Sequence, residues 1–400
     1  MRAPLTIAPS PDTADPRRLS AIASVGDQTV RLATTANVPL AQDSTPWVPP
    51  AALVGMRTGR DAVVYGDVSE HAVDGCSGAM SLLRSWYPER MVDVDITAPM
   101  SVPSTDTGGR GVGAFFSGGV DSYYTTLKHL DEITHLIFIH GFDIDLWNED
   151  LAERTLVAMR KSAADLGRPL IEVRTDVRVW LDGNGVDWGP EGFGPLLAHV
   201  GLALSNVVAK IYIPASNTSA DQKPNGSHPD LDPRWSSDAV SFVHDGLEAT
   251  RAAKVKLFVD SDAAMRHLRV CWWNGKNDYN CGACEKCVRT MLNLYIAGGL
   301  ERCTTLPDRI PVQAIDNLYL NKSAKTFVAE NLAELKAAEV EDPELEAALQ
   351  RALDRSEFRN QLNAARTIPT GLRNIATPQF FRFWFSRIRP PANEHLKGSR

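Results

Sequence analysis

The chain has 400 residues, 44% of them hydrophobic, and a formal net charge of −7. That is enough apolar material for two or three structural units, and the acidic balance supplies no general electrostatic footprint for nucleic acid. No apolar run approaches the roughly 18–20 residues that cross a bilayer. The opening "MRAPLTIAPSPDTADPRR" has prolines and acids where a secretory signal needs a continuous apolar segment, so a soluble, cytoplasmic protein with no membrane partner is expected.

Residues 1–20 read as a flexible, Pro-rich lead-in, and residues 21–105 as a small α/β unit. Within that unit "DAVVYGDVS" predicts a strand and turn, "EHAVDGCSGAMSLLRSWY" a helix and "RMVDVDIT" a strand, while "PMSVPSTDTGGRG" has the composition of a linker. Residues 106–262 then alternate. "GVGAFF", "THLIFIHG", "PLIEVRTD" and "KIYIPAS" are strand-like, with helical spacing over Asp121–Leu130, Asn148–Leu166 and Pro195–Ala209 between them. Short apolar runs separated by helices predict an α/β fold with a Rossmann-like parallel sheet covered on both faces. Residues 263–305 carry a cysteine cluster. Residues 306–400 read as a helical unit, with Asp342 and Pro343 starting a helix whose Leu345, Ala348, Leu349, Ala352 and Leu353 form one apolar face.

The junction "FFSGGVDS", Phe115–Ser122, lies where a strand becomes a helix. Helix starts at the carboxyl edge of a parallel sheet offer unpaired N–H groups to anions. Gly118 and Gly119 permit a tight turn and close approach of backbone to ligand, with φ > 0 expected at Gly119. Ser117 and Ser122 can donate hydroxyls to phosphate, and Asp121 can help hold magnesium or cap the helix. An ordinary strand–turn–helix corner is the plain alternative.

Ser-Gly-Gly-x-Asp-Ser in this setting resembles the pyrophosphate loop of the PP-loop ATP pyrophosphatase superfamily. The resemblance implies an adenine nucleotide alpha hydrolase-like fold. It also implies ATP and Mg²⁺ held by Ser117, Gly118, Gly119, Val120, Asp121 and Ser122, with cleavage between the α- and β-phosphates. The second strand, ending at His140, Gly141, Phe142 and Asp143, then falls near the adenine and ribose, where backbone groups of Ile139 or His140 can read the base and Phe142 can pack on it. His140 can equally be a satisfied strand-end histidine.

"CWWNGKNDYNCGACEKC" spaces Cys271, Cys281, Cys284 and Cys287 by nine, two and two residues. Three thiolates on one tight turn, completed by Cys271 returning from a preceding strand, suit a closed, structural, tetrahedral Zn²⁺ site. An iron–sulfur cluster or unrelated buried cysteines are the alternatives. Lys286 and Arg289 follow on a helix and offset the cluster's charge. Loop and cysteine spacing together resemble the 7-cyano-7-deazaguanine synthase family and its longer bacterial relatives, over roughly residues 108–300. In "TRAAKVKL" that family's lysine and glutamate positions hold Arg251 and Ala253; Arg251 still binds phosphate bidentately, with Lys254 one turn on.

Three further stretches carry candidates. Gly183–Gly194, "GNGVDWGPEGFG", is a lid or a plain surface loop. In "GSHPDLDPRW", Arg234 and Trp235 can meet a flat or anionic substrate, or the stretch is a structural Ω-loop. His244 and Asp245 either reach the nucleotide or start a turn. "PQFFRFWFSRIRPP" suits an edge packed on the chain's own core better than a membrane or partner contact.

The resemblance implies an AMP-forming ligase in which Ser117, Asp121, Ser122 and Arg251 act on the phosphates. A small-molecule or peptide/protein carboxylate is adenylylated, and ammonia or an amine displaces AMP, giving an amide or nitrile. A homodimer is compatible with this reading, and nucleic acid is not expected as a partner. The alternatives are a non-catalytic nucleotide-binding component of a multi-protein system and a tRNA-base sulfur-transfer enzyme.

Overall fold

A computed structural model describes residues 2–10, 15–98, 100–102, 108–271, 277–338 and 340–363. In chain order the elements begin with strands β1 (Leu5–Pro9), β2 (Arg18–Val25) and β3 (Gln28–Ala36) and helix α1 (Val48–Thr58). Next come β4 (Ala62–Val64), β5 (Asp67–Ser69), α2 (Glu70–Trp86), β6 (Ile96–Thr97) and β7 (Met100–Val102). The central run is β8 (Gly111–Phe115), α3 (Val120–Lys128), β9 (His135–His140), α4 (Glu149–Asp165), β10 (Leu170–Thr175), α5 (Val177–Gly183), α6 (Phe193–Ala203), β11 (Val208–Pro214) and β12 (Ser241–Asp245). Helices follow: α7 (Arg251–Phe258), α8 (Asp262–His267), α9 (Glu285–Ile296), α10 (Val312–Asn317), α11 (Lys322–Ala337) and α12 (Pro343–Leu353).

Ten strands form one sheet in the order β12-β11-β8-β9-β10-β3-β2-β1-β4-β6. The five strands from β12 to β10 are parallel. Strand order reverses at β8: β9 and β10 extend to one side and β11 and β12 to the other. The crevice beyond the carboxyl ends of β8 and β11 is therefore the topological switch point, where α/β sheets bind ligands. One face of the sheet packs a core that includes Leu53, Cys76, Leu181, Leu197, Ile211 and Phe242. The other packs Ala114 of β8 against Tyr123, Met159, Val255, Met291 and Leu349, from α3, α4, α7, α9 and α12. Alternation along each strand, with Ile211 on one side and Tyr212 on the other, is what lets one sheet serve both cores.

The N-terminal expectations need correction. Leu5–Pro9 is not a flexible lead-in but a strand paired with β2 and β4, because Leu5 and Ile7 alternate into the core. Residues 21–105 are not a separate unit: β3 joins β10 antiparallel, Val173 facing Ala36, so the sheet runs on unbroken. "RMVDVDIT" contributes only the two-residue β6, and the expected linker contains β7, paired with β5.

Toward the C-terminus, Asp342 caps α12 by accepting from the Leu345 N–H at 3.0 Å. Leu345, Ala348, Leu349 and Ala352 are buried, while Leu353 is half-buried. The aromatic–arginine stretch 378–391 lies outside the described residues. No helix among the described residues is long and apolar enough to cross a membrane.

Candidate active site and metal centre

β8 ends at Phe115, and the chain turns through Ser117, Gly118 and Gly119 into α3. The left-handed residue is Gly118, with φ +73°. Gly119, the N-cap, is extended at φ −83°, which corrects the expectation of φ > 0 there. A Cβ on Gly118 would also stand 2.5 Å from Met159 Cε, so a side chain here would meet a strained φ and force Met159 to shift. The Gly118 carbonyl accepts from the Arg269 N–H at 2.8 Å, tying the turn to the chain after α8. No side chain caps α3, so Asp121 is not a helix cap and the first-turn N–H groups face outward.

A cavity of about 190 Å³ opens at this turn. Its walls include Ser117, Gly119, Val120, Asp121 and Ser122 from the loop, Ile139 and Phe142 from the end of β9, and Arg251, Arg269 and Lys286. Three cations thus meet two carboxylates, Asp121 and Asp143, on its surface. The wall residues run from Phe115 to Lys286, so neither the N-terminal strands nor the C-terminal helices line it.

α7 supplies the cations expected from "TRAAKVKL". Its N-cap, Thr250, accepts from the Ala253 N–H at 3.3 Å, which points the first turn at the loop. Arg251 lies 3.8 Å from the Asp121 carboxylate and donates to Thr290 Oγ1 on α9 at 2.9 Å. Burial foremost, and then Arg289, lowers the Arg251 guanidinium to about 10. Lys254 is 1% exposed and donates to Asp121 Oδ1 at 3.1 Å and to the Ala215 carbonyl at 2.5 Å. Burial alone would raise the Asp121 carboxyl; Lys254 and Arg251 outweigh it and hold it below its ordinary value.

Several predicted residues do other work. Ser122 Oγ donates to the Gly119 carbonyl at 3.0 Å, closing the turn. The His140 side chain lines a different cavity, beside α4, and donates Nε2 to the Asp145 carbonyl at 3.3 Å, while Ile139 lines this one, as alternation of side chains along a strand leads one to expect. Gly141, at φ +108°, abuts the Thr175 carbonyl and turns the chain off β9. Trp235 is buried at 2% exposure rather than presented to substrate. Asp245 is held by Thr125 at 2.8 Å, Lys128 at 2.9 Å and His129 at 2.8 Å. The glycine-rich stretch 183–194 is pinned rather than lid-like: Glu191 is fully buried between Arg90 at 3.0 Å and Arg57 at 3.6 Å.

Sequence reasoning missed Arg269 and Ser216 as wall residues, and gave Lys286 only a role beside the cysteines. Arg269 carries no motif, whereas Lys286 sits inside Cys-x-x-Cys and was within reach.

The four clustered cysteines converge, with their sulfurs all within 4.8 Å of one another. Cys271–Cys284 and Cys281–Cys287 are each 3.8 Å apart. A tetrahedral ion with metal–sulfur bonds of about 2.3 Å spaces its ligands about 3.8 Å apart, so the donors fit a single ion such as zinc. A multi-iron cluster would spread them over separate irons. Gly282, at φ +66°, makes the knuckle turn, and the Cys284 N–H donates to Cys281 Sγ at 3.2 Å. Cys271 comes from an irregular segment rather than a strand; Asn280 Oδ1 holds it by accepting from the Val270 and Cys271 N–H groups at 2.9 and 3.1 Å. Hydrogen bonds from Cys281, Cys284 and Cys287 pull the Cys271 thiol down, and Cys271 foremost pushes Cys284 and Cys287 up. Sulfurs so close do not ionise together without a cation.

Metal centre and cavity share parts. Cys271 lines the cavity, and Lys286 reaches it from between two cysteines on α9. Comparison with protein-family models, with curated proteins and with solved structures finds no match to this chain.

Proposed function

We propose that the cavity at the Ser117–Ser122 turn binds ATP and that the protein adenylylates a carboxylate, then transfers the acyl group to ammonia or an amine. The supporting observation is the joining, at the sheet's switch point, of a left-handed Gly118, the open N-terminus of α3, and Arg251, Arg269 and Lys286 on one wall. First-turn N–H groups and clustered cations complement a polyphosphate, and the absence of a Gly-Lys-Ser/Thr after the glycines separates the loop from Walker-type sites.

On this reading the substrate carboxylate attacks the α-phosphorus. The bond to the bridging oxygen breaks, and pyrophosphate departs with the electron pair. Charge gathering on that leaving group is met by the loop N–H groups, Arg251 and Lys286. Bound Mg²⁺ would neutralise phosphate oxygens, with Asp121 the carboxylate in place to hold it. Zinc in the four-cysteine centre would have no open position, and would fix the segment that carries Lys286 and Arg269 to the loop.

A sulfur-transfer reading lacks a suitable thiol. Outside the cluster only Cys76 and Cys303 remain, both buried, and burial pushes Cys76 up to about 12.

The test is product analysis with ATP·Mg²⁺ and a panel of carboxylates plus an ammonium salt. AMP and pyrophosphate formed only with a carboxylate present support the proposal; ADP and phosphate, or no turnover with any acid, overturn it.

A further inference from the structure

The stretch 225–238, which the phosphate site does not use, is built around a carboxylate with no exposure at all. Asp232 is 0% exposed, and its Oδ2 accepts from His244 Nδ1 at 2.7 Å and from Ser227 Oγ at 2.8 Å. Its other oxygen has no hydrogen-bond partner. A carboxylate this buried is costly unless a partner offsets its charge, and the partner able to carry a charge here is an imidazole. Donation from Nδ1 fixes the tautomer and leaves Nε2 with a free lone pair. No hydrogen bond to Nε2 is present among the described residues.

The dyad stands beside the cavity. His244 is in register with Ile213 on the neighbouring parallel strand. Paired residues on adjacent strands share a face about 4.8 Å apart, and Ile213 lines the cavity. From the other side, Phe193 lines the cavity and the next residue, Gly194, packs on the dyad: a Cβ there would be 2.8 Å from Asp232 Oδ1. The N-terminal strands and helices, absent from the cavity wall, brace this stretch instead. Ser69 Oγ donates to Asp238 at 2.9 Å, Trp86 lies edge-on to His228 at 4.8 Å, and Gly75 lies under the Arg234 carbonyl.

We infer that His244, oriented by Asp232, is the base that takes the proton from the attacking nitrogen in the second step. The inference rests on the acyl-transfer reading above. The amine nitrogen attacks the acyl carbon, a C–N bond forms, and the C–O bond to the phosphate breaks. AMP leaves with that electron pair, and the proton lost from nitrogen ends on His244 Nε2. The charged and titratable groups around the ring are Asp232, His228 and, 3.7 Å from His228, Asp230.

The two steps separate experimentally. Exchange of labelled pyrophosphate into ATP, with a carboxylate that supports it, reports adenylylation alone; methylamine as acceptor reports transfer. In His244→Gln, transfer falls 100-fold or more while exchange stays within twofold. Added imidazole restores His244→Ala at least tenfold, and Asp232→Asn loses transfer in parallel. Pyrophosphate exchange retained in each variant shows that it folds. Transfer within twofold of wild type in His244→Gln, equal losses in both steps, or no rescue of His244→Ala by imidazole overturns the assignment while leaving adenylylation standing. Absence of exchange with every carboxylate removes the underlying reading and this assignment together.

Discussion

Lys254 Nζ sits 3.1 Å from Asp121 Oδ1, a buried ammonium on α7 against the carboxylate in the first turn of α3. The contact binds the pyrophosphate turn to the helix that carries Arg251. Replacing Asp121 by Asn therefore does more than remove a metal ligand: it strips a buried cation of its partner, and a loss of about 3 kcal/mol is expected. The sign with pH follows from the depressed carboxyl. Its contribution is complete above the unfolded value of 3.8 and is lost as pH falls through the lower folded value. Denaturant titrations of wild type and Asp121→Asn at several pH values should converge in acid; a constant gap down to pH 2 would contradict the pairing.

Gly118 and Gly119 are not equivalent. Gly118→Ala meets both a left-handed φ of +73° and Met159 Cε at 2.5 Å, so stability falls by about 1–3 kcal/mol and nucleotide affinity with it. Gly119→Ala, at φ −83° and 3.2 Å from Oγ of the exposed Ser117, is expected to fold as wild type. Thermal melts and analogue titration of the two variants decide; equal behaviour would mean the turn is set otherwise.

One zinc per chain is expected in protein prepared without chelator. Cys284→Ser should lose both metal and stability, because metal binding and folding are coupled. Elemental analysis checks the first, and calorimetric melting checks the second. Metal-free protein that melts as the loaded form does would remove the structural role.

At Gly75 a Cβ would stand 2.2 Å from the Arg234 carbonyl oxygen. Gly75→Ala should cost about 1–3 kcal/mol by pushing residues 225–238 off α2. Urea unfolding measures this, and a midpoint unchanged from wild type would show that the two segments are not in register.

The turn and the cysteines were legible because each is local: a strand, two glycines and a helix start within eight residues, and two Cys-x-x-Cys steps on one knuckle. The parallel strands were legible from length and spacing. What escaped was non-local. Nothing near Thr34 or Ala36 announces antiparallel pairing with β10, so the N-terminal strands read as a separate unit. The room around Gly118 is set by Met159, forty-one positions on in sequence. Strand alternation, available in the sequence, already separates the Ile139 and His140 side chains onto opposite faces. Arg269 is brought to the site with the help of a backbone bond to Gly118, which no pattern encodes.

The central claim is that this turn holds the phosphates of ATP. Isothermal titration of the full chain with Mg²⁺ and α,β-methylene-ATP tests it most directly, alongside the double variant Arg251→Met, Lys286→Met. Those two side chains line the cavity but come from different helices, so only a ligand lying between them senses both. Saturable one-to-one binding to wild type, weakened tenfold or more in a variant that still melts cooperatively, is the predicted result. No binding to wild type, or undiminished affinity in the double variant, would contradict it.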